Sequence, residues 1–323
     1  MNSIKLSIII PVCNVEKYIG ACLESIYRQG LDEKDFEVIV IDDGSADGSM
    51  QIVEGIRGSH HNISVIHQEN AGPSVSRNSG MEIATGDYVL FVDSDDLLMD
   101  GGLSMLLPKA METAADMVVP DYLRMNDEDI TKTFDAKLTS SDIVDMSGYN
   151  YYVNIYNPAE GSFIWRILYK RSFLNKNNIR LVPGVYYEDI PFLQECYLKA
   201  DRVIGLHLLY YIYRIRPRSC TYSFTMKNAL DYNTAIANSW ALLKRRDLPD
   251  QVLLQVRNNV SVFLNYAIDC IISVFPQSSE RREIILDLVH KVPDLSYHQI
   301  RWRLFRKKVH NWCLARLKLN LPI

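Results

Sequence analysis

An α/β fold, with a mostly parallel sheet flanked by helices and a C-terminal helical appendage, is predicted by three observations. Short β-branched runs alternate with helical periods over residues 1–120. Three of those runs stop abruptly at polar or acidic residues, as strands do at the ligand-binding edge of an open sheet. From residue 225 onward only helical periods remain.

The first strand, 6–10, stops at Pro11-Val12-Cys13-Asn14. Val15, Tyr18, Ile19, Cys22, Leu23, Ile26 and Tyr27 then share one helical face, with Asn14 as its expected N-cap. A second strand, 36–41, ends in Asp42-Asp43-Gly44-Ser45. A helix near 47–57, a strand over 63–66 and a helix near 73–84 follow. The apolar run 88–92 is a fourth strand and ends in Asp93-Ser94-Asp95. A helix near 100–113 and a strand over 116–120 complete this half. Residues 121–220 read as irregular and tyrosine-rich, with turns at Asn157-Pro158 and Pro183-Gly184, a helix near 188–199 and a strand over 208–215. Helices are predicted at 226–245, 250–275, 279–291 and 297–318, separated by Pro249, Pro276 and Pro293. The predicted organisation is one domain over 1–224, with halves 1–120 and 121–224, and a helical region over 225–323.

The 323 residues are 48% hydrophobic and 23% charged, an ordinary globular composition. A net charge of −4 from 35 basic and 39 acidic residues does not mark a nucleic-acid binder. Six scattered cysteines form no C-x-x-C pair, which predicts a reduced, cytoplasmic setting rather than a disulfide framework. Seven histidines form no zinc pattern. No signal peptide is read before the first strand, and no uncharged apolar run reaches the ~18–20 residues of a spanning helix. The expectation is a soluble protein or one peripheral to the inner face of the cytoplasmic membrane.

Asp93 and Asp95 carry the sharpest chemical signal. Carboxylates two residues apart point to opposite faces within a strand, but just past its end the chain bends and both can turn to one hard cation. Such oxygen ligands suit Mg²⁺ or Mn²⁺ shared with substrate phosphates. The acids at 42–43 end a second strand of the same sheet and can meet them at one crevice. Asp43 to Glu54 also approaches a calcium-loop spacing, but a β-branched strand stands where that loop needs a helix. No glycine-rich phosphate loop follows the first strand. A diphosphate would then be held through a metal at Asp95, with Arg77, near a helix start, as a further cation. Glu188-Asp189 precedes a helix after a Pro-Gly turn, which fits either helix capping or a general base.

Four segments in order resemble the successive motifs of family 2 glycosyltransferases. They are Ser7 to Asn14, Val40 to Ser45, Asn70-Ala71-Gly72 with Ser76-Arg77-Asn78, and Gly86 to Asp96. Tyr186-Tyr187-Glu188-Asp189-Ile190-Pro191-Phe192 resembles the family's later E-D-x-x-F element. Tyr213-Arg214-Ile215-Arg216-Pro217-x-Ser219 resembles a segment of bacterial members that build cell-surface polysaccharide. The resemblance spans roughly residues 5–220 and implies a nucleotide-diphospho-sugar transferase fold of the GT-A type. It implies a nucleotide-sugar donor, expected to be UDP-linked, and a divalent metal. It also implies inversion by single displacement onto a glycan or lipid-linked saccharide.

By position, Pro11, Glu16, Asp42 and Asp43 would face the nucleoside, in a donor-binding set completed by Cys13, Arg77, Asp93 and Ser94. Asp93 and Asp95 would form the metal motif, with Asp95 the more direct ligand. Asp189, with Glu188 beside it, is the candidate base. Cys13 departs from the family, which often has a tyrosine there. Trp165 is a candidate acceptor-stacking residue, because aromatic faces pack on sugar rings. Two alternatives are a sugar-nucleotide nucleotidyltransferase and an inactive binding module of the same fold. Beyond Asp294 the chain has no acid but carries Arg301, Arg303, Arg306, Lys307, Lys308, Arg316 and Lys318. Trp302, Phe305, Val309 and Trp312 share a helical face there, the pattern of a basic amphipathic helix on an anionic membrane surface.

Overall fold

The structure is a computed structural model and describes residues 4–130, 134–216, 224–275, 278–295, 300 and 303. It divides into two compact units. One holds residues up to Tyr156, Ser162–Gly184 and Glu188–Pro217; the other holds Asn157–Gly161, Val185–Tyr187 and the chain from Arg218 onward.

The first unit is built on a nine-stranded sheet. Its chain order is β1 (Leu6–Val12), α1 (Ile19–Tyr27), β2 (Phe36–Asp43), α2 (Ser49–Arg57), β3 (Ile63–Gln68), α3 (Pro73–Ile83), β4 (Tyr88–Phe91), β5 (Leu97–Leu98), α4 (Gly102–Thr113), β6 (Met117–Asn126), β7 (Lys137–Met146), α5 (Gly148–Asn154), β8 (Leu168–Lys170), α6 (Arg171–Lys176), α7 (Asp189–Lys199) and β9 (Val203–Ile215). The strands lie in the order β3-β2-β1-β4-β8-β6-β9-β5, with β7 paired to β9.

Pairs β3-β2, β2-β1 and β1-β4 are parallel, so their carboxyl ends share one edge. Val12 lies opposite Asp42, and Ile9 lies opposite Phe91, two residues before Asp93. This register sets the acids of β2 and the loop after β4 on either side of the end of β1. The side chains of Leu6, Ile8, Ile9, Ile10, Val38, Ile39, Val40, Ile41, Leu90 and Phe91 are almost wholly buried. Burial on both sheet faces explains why these strands read as continuous apolar runs rather than alternating ones.

Three sequence expectations are corrected. Asn14 does not cap α1: the helix begins at Ile19, and Asn14 sits in the left-handed region at φ 52°. Its side-chain carbonyl instead accepts from the Ala46 backbone N–H at 2.8 Å. Residues 121–220 are more regular than expected, because β6 continues to Asn126 and β9 spans 13 residues. β7 was not anticipated at all; its residues are mostly exposed, so no apolar alternation betrays it.

The second unit contains α8 (Met226–Ala241), α9 (Asp250–Val274) and α10 (Ser278–Lys291). Thr225 and Asn228 form a reciprocal capping box at the start of α8. Ile236, Val256, Val260, Phe263, Ile284 and Leu288 are buried in this unit. Among the described residues no helix is long and apolar enough to cross a membrane. The expected basic helix over 297–318 lies outside the described residues except for Ile300 and Arg303.

Candidate active site

The loops after β1 and β2 are tied together before any ligand is considered. The Val15 N–H donates to Ser49 Oγ at 2.9 Å, the Glu16 N–H to Asp47 Oδ2 at 3.0 Å, and the Gly48 N–H to Glu16 Oε2 at 2.9 Å. Glu16 is thus both exposed and part of the loop's own bracing. Pro11, partly buried, lies opposite Ile41 at the end of β1.

Asp42 accepts from the Ser45 N–H at 2.9 Å and faces His67 Nδ1 at 2.8 Å. Burial raises its pKa, but the bonds from His67 and Ser45 outweigh that and hold the carboxyl below its ordinary range. Asp43 accepts from Gln68 Nε2 (2.7 Å) and the Ala71 (2.8 Å) and Gly72 (2.9 Å) N–H groups. It therefore organises the 68–72 wall that leads into α3. Gly44 sits at φ 73°, and a Cβ there would meet the Asn70 backbone nitrogen at 3.1 Å. Cys13 Sγ takes a bond from Asn70 Nδ2 at 3.2 Å. Burial first, then Asp43, pushes its thiol pKa up.

Arg77, on α3, is the hinge of the site. Its side chain is 8% exposed, and it donates through Nη2 to Asp93 Oδ1 at 2.6 Å and through Nη1 to Glu188 Oε1 at 2.9 Å. One guanidinium therefore joins the acidic loop after β4 to the start of α7. Glu188 occupies the N-cap position of α7 but makes no side-chain capping bond. Its carboxylate turns to Arg77 instead, which decides against capping as its role. Asp189 opens α7 and is partly buried. Burial, then the neighbouring Glu188, pushes its pKa well above the ordinary carboxylate range, with Arg77 opposing. That is the direction in which burial and a like-charged neighbour move any carboxyl.

The loop Asp93–Asp96 is held from the far side by the end of β9, a contribution the sequence reading missed. Tyr211 Oη donates to Asp96 Oδ2 at 2.8 Å and accepts from the Asp93 N–H at 3.2 Å. The Arg214 N–H donates to Asp96 Oδ1 at 2.8 Å, and Arg214 Nε donates to the Asp95 carbonyl at 2.6 Å. Arg216 Nε donates to Asp95 Oδ2 at 2.5 Å. Burial and then Asp93 raise the Asp95 pKa, and Arg216 opposes. Ser94 is buried between the two acids. The available signal was an arginine pair at i and i+2 ending an apolar strand, the counterpart of the acidic pair that follows β4.

Among the described residues no group of three or more His, Cys, Asp or Glu side chains is arranged to hold a metal. Asp93 and Asp95, each here paired with an arginine, Arg77 and Arg216, are the residues that could hold one. They are hard oxygen donors, and their mutual repulsion is what a shared cation relieves. Two protein carboxylates, with phosphate oxygens and water completing the shell, is the usual Mg²⁺ arrangement.

Trp165 does not offer a stacking face. It is 4% exposed, and its ring lies on Tyr211 at 4.4 Å and on Phe163 at 4.8 Å. Its sequence-derived role at the acceptor is corrected: it props the tyrosine that holds the acidic loop. The partly buried rings of Tyr122, Phe163 and Tyr213 surround it, and Arg124 lies over all three at 5.4–5.9 Å.

Parallel strands leading into acids, an arginine that joins the loop after β4 to the start of α7, and a carboxyl with a raised pKa at that helix start make up the site on the α/β sheet. The family model "Glycosyl transferase family 2" matches residues 7–176, and the chain belongs to that family. It is 35% identical over 228 residues to glycosyltransferase GlyA of Streptococcus pneumoniae, covering 69% of this chain and 32% of that one. It is 32% identical over 235 residues to glycosyltransferase EpsJ of Bacillus subtilis, covering 70% of this chain and 65% of that one. The chain thus spans between a third and two thirds of these relatives. In structure it is similar to Staphylococcus aureus TarS 1–349 in complex with UDP-GlcNAc. The TM-score is 0.72 at 24% identity, over 90% of this chain and 82% of that one, which shows a shared fold.

Proposed function

We propose that this protein transfers a sugar from a nucleoside-diphosphate donor, UDP-linked, to a hydroxyl of a glycan or lipid-linked saccharide, with inversion at the anomeric carbon. The reading belongs to cell-surface polysaccharide synthesis, as the family's bacterial members resembled above do. The observation that supports it is the Asp93–Arg77–Glu188 bridge, which joins the acidic loop after β4 to the helix start that carries Asp189.

In this reading the loops after β1 and β2 receive the nucleoside. Asp93 and Asp95 would hold Mg²⁺ or Mn²⁺, which would supply neutralisation of the charge growing on the leaving diphosphate. Asp189 takes the proton from the acceptor hydroxyl as its oxygen bonds to the anomeric carbon on the face opposite the diphosphate. The bond to the diphosphate oxygen breaks, and the electron pair leaves with it. Arg77 stays charged throughout, orients Glu188 and tempers the basicity of Asp189. A single displacement needs one such carboxyl and no covalent nucleophile. A nucleotidyltransferase reading has less support, because Pro11-Val12-Cys13-Asn14 supplies no glycine-rich basic loop.

The test is thermal shift against a panel of nucleotide sugars, with Mn²⁺ and with excess EDTA. UDP-sugars should raise Tm in Mn²⁺ and lose most of that effect in EDTA. A panel in which no nucleotide sugar shifts Tm under either condition would remove the donor assignment. An equal shift in EDTA would remove the metal.

A further inference from the structure

Asp42 and Asp43, the acids that end β2, turn their carboxylates to the protein. Asp43 Oδ1 accepts from Gln68 Nε2 and the Ala71 N–H, and its Oδ2 accepts from the Gly72 N–H. Asp42 Oδ1 accepts from the Ser45 N–H, and its Oδ2 faces His67 Nδ1 at 2.8 Å. Every oxygen of the acidic pair therefore already has a protein partner. The Asp42 side chain is 11% exposed, and Asp43 is buried.

His67 stands apart among those partners. Its side chain is 65% exposed, and its ring carries a second nitrogen. It lies at the carboxyl end of β3, the outermost strand beside β2, and is in register with Asp42. That edge of an open α/β sheet is where ligands bind.

The bond to Asp42 fixes what the ring can do. Burial raises the Asp42 pKa, but the bonds from His67 and Ser45 outweigh it, so the carboxyl is ionised and can only accept. Nδ1 therefore carries a proton, which in the neutral imidazole leaves Nε2 as an acceptor. A carboxylate holding one ring nitrogen also fixes the orientation of the ring. An acceptor held in this way recognises an N–H donor. Uracil offers one, its imide N–H, where cytosine carries a lone pair on the same ring atom.

We infer that His67 is a specificity-determining residue for the donor's base, its Nε2 accepting the imide N–H of uracil while Asp42 holds Nδ1. The inference rests on the reading of the donor as UDP-linked. It also moves Asp42 from contact with the base to support of the residue that makes that contact.

The experiment measures Kd for UDP and for CDP by isothermal titration at pH 8 with Mg²⁺. It uses the full chain, unaltered and as His67→Ala and His67→Gln. One hydrogen bond contributes roughly 3- to 10-fold, and CDP in addition sets two acceptors against each other. The unaltered chain should therefore prefer UDP by about 10-fold or more. In His67→Ala the preference should shrink to about 3-fold or less, through weaker UDP binding with CDP little changed. His67→Gln should restore most of the preference, because its amide N–H₂ can donate to Asp42 while its carbonyl accepts from the base. An undiminished UDP preference in His67→Ala overturns the inference and leaves the UDP-linked donor in place. An equal loss for both nucleotides does the same, since His67 would then only brace Asp42. An unaltered chain without a UDP preference overturns the UDP-linked reading itself, and the inference with it.

Discussion

Replacing Arg77 by methionine probes the site's electrostatics most fully. The substitution keeps a similar apolar stem and removes a charge that is almost wholly buried between Asp93 at 2.6 Å and Glu188 at 2.9 Å. Breaking a buried ion pair from one side costs roughly 3–5 kcal/mol, because a charge is left uncompensated. The Asp93 side chain is 26% exposed, which lets water recover part of that, so the lower end applies. We expect a loss of about 3 kcal/mol at pH 8, seen as a Tm lower by roughly 6–12 °C for a unit of this size. At pH 5 the loss should shrink, because a proton can replace the missing cation. Arg77 also opposes the rise of the Asp189 pKa. Without it that pKa rises further, and the acid limb of kcat should move to higher pH. Adding Glu188→Gln should recover about 1–2 kcal/mol, since the two positions are directly coupled. Urea denaturation at both pH values and a pH–rate profile measure all of this. A loss under about 0.5 kcal/mol, or one independent of pH, would show that the bridge does not hold the site together.

Three further outcomes are expected. Asp189→Asn should raise Tm at pH 7–8: the folded pKa lies above the unfolded one, so the native carboxyl's stabilising contribution is present at low pH and lost as pH rises through the folded value. The gain should vanish near pH 4, and a Tm gain constant from pH 4 to 8 would contradict the raised pKa. Tyr211→Phe removes the bonds to Asp96 and to the Asp93 N–H, and should cost about 1–3 kcal/mol in urea denaturation together with much of the activity. Unchanged activity would show that the loop holds its shape without β9. Removing the chain beyond Ser296 should abolish salt-sensitive co-sedimentation with anionic vesicles; equal sedimentation by both chains would refute the proposed membrane role of the basic tail.

The sheet was legible where chemistry and pattern coincide. Strands β1, β2 and β4 are buried on both faces, and β2 and β4 lead into acidic residues, so continuous apolar runs located the sheet. Glu188 and Asp189 were legible as a pair, but that Glu188 turns to Arg77, 111 residues away in sequence, instead of capping α7 was not. No local pattern encodes such a pairing. The partners of Arg214 and Arg216 were hidden for the same reason: a strand-end arginine declares its charge but not what it binds. Trp165 misled because residue type gives aromatic character without burial. β7 escaped because Thr139, Ser140 and Asp142 give it no apolar face.

The central claim is that Asp189 accepts the acceptor's proton in a sugar transfer. Its most direct test is nucleoside diphosphate release from the nucleotide sugar that binds best, measured side by side for the unaltered chain and Asp189→Asn, with donor titrations on both. The account predicts near-equal donor affinity and a rate at least 10²-fold lower in the variant, the range a positioned general base contributes. Equal release rates at equal affinity would contradict it.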